Sequence, residues 1–85
     1  MDYSRYQTGM NTSIQDIVVK TLPIELHALL KFAKIVQSGG EAKQLIAQAR
    51  VSVNNALTTQ KGKKIVEGDV VKIFDKTLIV KASNQ

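Results

Sequence analysis

One stretch limits the possible folds of this chain more than any other: residues 38–55, SGGEAKQLIAQARVSVNN. Ala42, Leu45, Ile46 and Ala49 fall at i, i+3, i+4 and i+7, one apolar helical stripe, while Lys43, Gln44, Gln48 and Arg50 face elsewhere. Val51 and Val53 then switch the apolar period from about 3.6 to 2, as a strand requires. A short amphipathic helix feeding a short strand cannot stand alone, so its stripe must pack on the rest of the chain.

A second stripe precedes it. Leu26, Leu29, Leu30 and Ala33 predict a helix over residues 25–36, with His27, Lys31 and Lys34 on another side. Pro23 is tolerated in a first helical turn, so this helix starts near it, or later at about Leu26. Residues 37–40 end it in a glycine turn, and Ser38 is the candidate cap for the next helix. Upstream, the β-branched run over residues 14–20 reads as a strand, and residues 1–13, polar and aperiodic, as a tail outside a single domain spanning 14–85.

Downstream, Asn54-Asn55 is a turn signal, because asparagine tolerates left-handed backbone better than other residues with a Cβ. Residues 56–60 fit a short strand or a loop. Lys61-Gly62-Lys63-Lys64 and Glu67-Gly68-Asp69 are turns around Ile65-Val66. Residues 70–74 and 78–80 form a closing hairpin about Asp75-Lys76-Thr77, with Phe32 and Phe74 assigned to the core. The outline is βααβ followed by two or three more strands, an α+β domain with two packed short helices on a small sheet.

Charge narrows the function. The chain carries +5 overall, and its distribution is uneven: residues 31–64 hold seven bases against one acid, Glu41, whereas the remainder holds five bases and six acids. The excess positive charge therefore lies around the helix-to-strand unit, where it favours an anionic partner. With no cysteine, there is no disulfide frame and no thiolate chemistry, which fits a reducing cytoplasm. Apolar runs of a few residues fall far short of the ~20 needed to span a bilayer, so no membrane partner is expected. His27 has no second histidine or cysteine with which to hold a metal, and no phosphate-binding Gly-Lys-Ser/Thr loop or nucleophile elbow is present. These absences predict a chain that is not an enzyme, with no cofactor and no small-molecule substrate.

Leu30-Lys31, then Ser38 and the run from Glu41 to Ile46, then Val51-Ser52-Val53-Asn54 and Gly68-Asp69-Val70-Val71, together resemble the S4 RNA-binding domain, or αL motif, over residues 24–73. Within that family the chain looks most like the small stand-alone bacterial proteins of the YbcJ or YaaA type. The resemblance implies two helices on a mainly antiparallel sheet. It also implies binding to structured RNA, most of all ribosomal, through the helix pair and the following hairpin. Three positions depart from the family pattern: Gly39 stands where an arginine is common, and Ala49 and Asn55 stand where glycine is usual.

The residues proposed for contact are Lys31 and Lys34 on the first helix, Lys43, Gln44 and Arg50 on the second, and the turn Lys61, Lys63 and Lys64. Ser38, Gly39 and Gly40 add backbone amides at a helix N-terminus, where the dipole favours anions. Lys31 and Lys43 carry the resemblance most directly, and Arg50 continues the row of Lys43 if the helix reaches it. Each has an ordinary alternative as solvated surface, and the lysine turn also has one as protection of a sheet edge. Asn54 is read as holding the turn rather than touching RNA. Phosphate attraction does not distinguish DNA from RNA. A second reading is a protein-interaction adaptor, whose basic face docks on an acidic protein and whose sheet edge recruits a strand.

Overall fold

Both helices form on the expected stripes, and both are shorter than those stripes. In the computed structural model, which describes residues 13–83, α1 covers Leu26–Phe32 and α2 covers Gly39–Ala47. Each is closed by a residue in the left-handed region. After α1, Lys34 (φ +62°) allows its own N–H to reach the Lys31 carbonyl (3.0 Å) and that of Ile35 to reach Leu30 (3.0 Å). After α2, Ala49 (φ +57°) does the same, with Ala49 N–H on Ile46 (2.9 Å) and Arg50 N–H on Leu45 (3.2 Å). Both are Schellman closures, a motif whose left-handed position is usually glycine.

This corrects three expectations. The first helix ends at Phe32 rather than Val36, Ala49 is exposed instead of buried, and the glycines do not make the turn. Gly39 and Gly40 are the first two helical residues of α2, and the left-handed positions fall to Lys34 and Ala49. Of the two expected starts for the first helix, the later one at Leu26 is found, and Pro23 precedes a two-residue strand, Ile24–Glu25.

The strands are β1 (Ser13–Val19), β2 (Ile24–Glu25), β3 (Val51–Val53), β4 (Ala56–Thr58), β5 (Lys64–Ile65), β6 (Val70–Ile73) and β7 (Lys76–Ala82). Five of them form one sheet in the order β1-β7-β6-β3-β4, antiparallel except for the parallel pair β1 and β7, while β2 and β5 pair separately. The tail expected over residues 1–13 lies outside the described residues, except for Ser13, which opens β1 with its N–H on the Asp75 carbonyl (2.8 Å).

Register explains which residues are inside. Val51 faces Ile73 and Val71 faces Leu78, so β3, β6 and β7 turn one set of side chains to the helices. These join Val19, Val53 and Val80 with Leu26, Leu29 and Leu30 of α1 and Ala42 and Ile46 of α2 in one buried cluster. Full burial of such side chains contributes about 1.5–3 kcal/mol each, and it supplies the stability that neither helix has alone.

Three turns complete the sheet. Asn54 (φ +53°) and Asn55 (φ +71°) make a two-residue connection between β3 and β4 with both residues left-handed, as a type I′ hairpin needs. Asn54 also locks the turn across the fold: its amide donates to Asp69 Oδ1 (3.1 Å) and its Oδ1 accepts from Val70 N–H (2.9 Å). The structural role expected of Asn54 is therefore present. Before β6, Gly68 takes φ +93° while its N–H bonds the Val80 carbonyl (2.8 Å).

The closing hairpin forms as expected, but its turn is Phe74-Asp75, because Ile73 pairs with Lys76 and Thr77 is buried within β7. As a result Phe74 is 62% exposed, and Phe32 at the end of α1 is 53% exposed. Neither belongs to the core in which the sequence placed them.

The left-handed alanine yields a direct test. A Cβ at such a position costs about 1–2 kcal/mol relative to glycine, so Ala49→Gly is expected to stabilise the domain by about 1 kcal/mol and raise Tm by about 5 °C. An unchanged or lowered Tm in thermal melts would show that the backbone there is not left-handed.

Candidate nucleic-acid interface

The seven residues of α1 lack a side-chain cap, since Glu25 precedes the helix without bonding its amides. The lysine turn fills that place with backbone. Leu26 N–H donates to the Lys63 carbonyl (2.9 Å) and His27 N–H to that of Lys61 (3.1 Å). These bonds satisfy two of the amides that any helix start leaves without intrahelical partners. They also fix Lys61, Lys63 and Lys64 beside the first turn of α1. Strand β5 completes the attachment, with Ile65 opposite Ile24 and Lys64 opposite Glu25.

That register creates the main ionic contact of the region. The Glu25 carboxylate accepts from His27 Nε2 (2.8 Å) and from Lys64 Nζ (3.3 Å). The bond to His27, then that to Lys64, hold the Glu25 carboxyl below its ordinary pKa. Among the proposed cations Lys64 is thus engaged by a carboxylate, whereas Lys31, Lys34, Lys43, Arg50, Lys61 and Lys63 have no ion-pair partner among the described residues. His27, for which the sequence gives no metal-binding partner, is drawn into this network. No group of three or more metal-ligating side chains occurs among the described residues.

At the start of α2, Ser38 caps the helix: its Oγ accepts from Glu41 N–H (3.1 Å), and Glu41 Oε1 accepts from Gln37 N–H (3.2 Å). The one acid of the basic window therefore serves as half of a capping pair. Gly39 and Gly40 stand at the helix start with open space where a side chain at Gly39 would project. Lys43 and Gln44 are exposed on the body of α2.

Two expected alignments fail. Lys34 lies beyond the end of α1, so the three-residue spacing from Lys31 does not place both on one helical face. Arg50 lies beyond the left-handed reversal at Ala49, off the row of Lys43, with its Nε donating to Gln48 Oε1 (3.0 Å).

The proposed residues consequently do not gather into a cavity. The lysine turn is at the N-terminal end of α1 and Lys31 and Lys34 are at the other, about 10 Å along a seven-residue helix. Ser38 to Gly40 and Arg50 bracket α2, whose nine residues span about 13 Å. A string of exposed cations along two packed helices suits an extended polyanion, not a compact substrate. A cleft of about 580 Å³ lies between β1 and α1 and is lined by Val18, Pro23, Ile24, Ala28 and Phe32. Its apolar walls offer few groups to orient a polar ligand.

A family profile described as "S4 domain" matches residues 17–81. The chain belongs to the S4 domain family. This S4 domain is 40% identical over 57 residues to the "Probable ribosome maturation protein RlbA" of Bacillus subtilis (strain 168), a match covering 67% of this chain and 80% of that protein. It is also similar to YbcJ of E. coli, whose solution structure is described as revealing an αL motif involved in RNA-binding. There the identity is 35% and the TM-score 0.60, over 85% of this chain and 90% of that one. The α+β fold expected of an αL motif, two helices on a mainly antiparallel sheet, is thus present.

The tether at Glu25 makes a pH-dependent prediction. A carboxyl held below its unfolded pKa contributes stability above the ordinary glutamate value of about 4.3, and that contribution is lost as the pH falls through the lower folded value. Glu25→Gln is expected to lower Tm at neutral pH, and the difference from the parent should close under acid conditions. A gap that persists unchanged in acid would mean that the charge of Glu25 is not what ties the turn to α1.

Proposed function

We propose that this S4 domain is a non-enzymatic RNA-binding module acting in the cytoplasm on structured ribosomal RNA, in the maturation of the ribosome. The observation that carries the reading is the set of exposed or half-buried cations without carboxylate partners among the described residues, along α1, α2 and the docked lysine turn. The names of its relatives, one a ribosome maturation protein and one with a motif involved in RNA-binding, support RNA over other polyanions.

In this reading Lys31, Lys34, Lys43, Lys61 and Lys63 meet phosphates as point charges, while Arg50 forks onto a phosphate or lies flat on a base. The Gly39 and Gly40 amides approach a phosphate at the start of α2 with Ser38 beside them, and Gln44 reaches a sugar or base edge. Lys64 contributes through the field while tethered to Glu25. Fixing the turn to α1 by backbone bonds means that its lysines are positioned before the RNA arrives, so less ordering entropy is lost on binding.

Salt dependence tests this. At ~0.7–0.9 per neutralised phosphate, six contacts give a slope of about −4 to −5 in log affinity against log salt. Titration of a labelled ribosomal RNA fragment should show that slope, and Lys31→Glu combined with Lys43→Glu should abolish most of the binding at moderate salt. Absence of binding at low salt, or indifference to the double reversal, would remove the proposal.

Gly39 offers the converse experiment. Open space surrounds it, so Gly39→Arg fits without displacing a neighbour. The added cation should strengthen binding and steepen the salt slope by about one contact. An affinity unchanged by this variant would place the start of α2 away from the RNA.

A further inference from the structure

Phe74 is held in two unfavourable ways at once. Its backbone is left-handed (φ +58°), which a large side chain resists, and its ring is 62% exposed to water. Asparagine or glycine would make the same two-residue turn without either difficulty. Nothing in the fold accounts for the ring, which stands outside the buried cluster and the partly buried side chains packed on it.

Its place in the sheet is informative. Strands β3 and β6 are antiparallel, and their ladder ends with Val51 opposite Ile73. The next positions in that register are Arg50 and Phe74, one ahead of β3 where α2 hands over to it and the other just past the end of β6. Arg50 is exposed and belongs to the cationic surface assigned to RNA.

An exposed aromatic ring next in register to an exposed guanidinium, whose Nε bonds Gln48 Oε1, matches one ligand chemistry well. An unpaired nucleobase offers a flat π surface with its own phosphate a sugar away, so ring and cation are engaged together. An apolar side chain of a protein would use the ring and leave Arg50 idle. We propose that Phe74 and Arg50 form a stacking site for a single unpaired base, so that the RNA bound by this domain presents a bulged or looped-out nucleotide at the end of the helix pair. This rests on the RNA-binding reading and sharpens it. Phosphate contacts along the helices hold a folded backbone, and the Phe74 ring selects those that expose a base. Because every base has a π face, the selection is for an unpaired position and not for a sequence.

The chain contains no tryptophan, so Phe74→Trp places a single reporter at the site. The probes are a blunt RNA duplex and the same duplex with one bulged adenosine. Tryptophan emission should be quenched by the bulged duplex and little changed by the blunt one. Phe74→Asn should lose about tenfold in affinity for the bulged duplex, a modest loss for a base–aromatic stack. It should keep the parent's affinity for the blunt duplex and should raise Tm, because asparagine accepts left-handed backbone. Phe74→Tyr, which keeps the ring, should retain the preference.

If the parent binds both duplexes equally, and Phe74→Asn changes neither affinity while the Lys31 and Lys43 reversals weaken both, the stacking site is overturned and RNA binding stands. If the parent binds neither at low salt, both fall together.

Discussion

Two backbone hydrogen bonds, from the N–H groups of Leu26 and His27 to the carbonyls of Lys63 and Lys61, tie the basic region of this protein to its fold. A seven-residue helix has no independent stability and here lacks a side-chain cap, so it needs outside acceptors for its first amides. The lysine turn provides them. The same bonds that complete α1 therefore place the densest charge of the chain beside it, and the Glu25 contacts to His27 and Lys64 hold that arrangement from the side-chain end. Structure and candidate function share the same atoms at this point.

The second recurring device is left-handed backbone at residues other than glycine. Lys34, Ala49, Asn54, Asn55 and Phe74 all have positive φ. The asparagines carry it at little cost, and Asn54 turns it to use by bonding Asp69 and Val70. Lys34 and Ala49 close the two helices against the cost of a Cβ, which the buried leucine, isoleucine and valine cluster offsets. Phe74 differs because its ring lies outside the buried cluster, which is why a ligand is the natural place to look.

Acidic residues are used sparingly and structurally within the basic region. Glu41 pairs with Ser38 in capping α2, and Glu25 holds the lysine turn. Among the described residues, Lys64 is the one proposed cation bound to a carboxylate. The surface therefore keeps its positive field while the acids that would weaken it stabilise the elements that carry it. Screening limits such a field to roughly 8–10 Å at physiological salt, comparable to the length of α1, so cations at its two ends act on neighbouring parts of one polyanion.

Residue spacing alone determined that Leu26, Leu29, Leu30, Ala42 and Ile46 line two helices, that Val51 and Val53 begin a strand, and that Asn54 makes a turn, since each depends on a local period or a single backbone preference. The order of motifs was enough to identify the S4 domain, and the uneven charge was enough to find the basic surface. What lay beyond local pattern needed tertiary structure. The parallel pairing of β1 with β7 joins strands about sixty residues apart, and no spacing encodes it. Helix ends at Lys34 and Ala49 were hidden because the stripes continue past them and neither residue is a usual left-handed one. The two phenylalanines looked like core by hydrophobicity, yet one closes a helix beside an open cleft and the other fills a turn. Arg50 seemed a continuation of α2, but the reversal at Ala49 moves it to the head of β3. Sequence could show which charges the protein carries; only the register of distant strands decided which of them share a surface, because that depends on hydrogen bonds between segments that no local period connects.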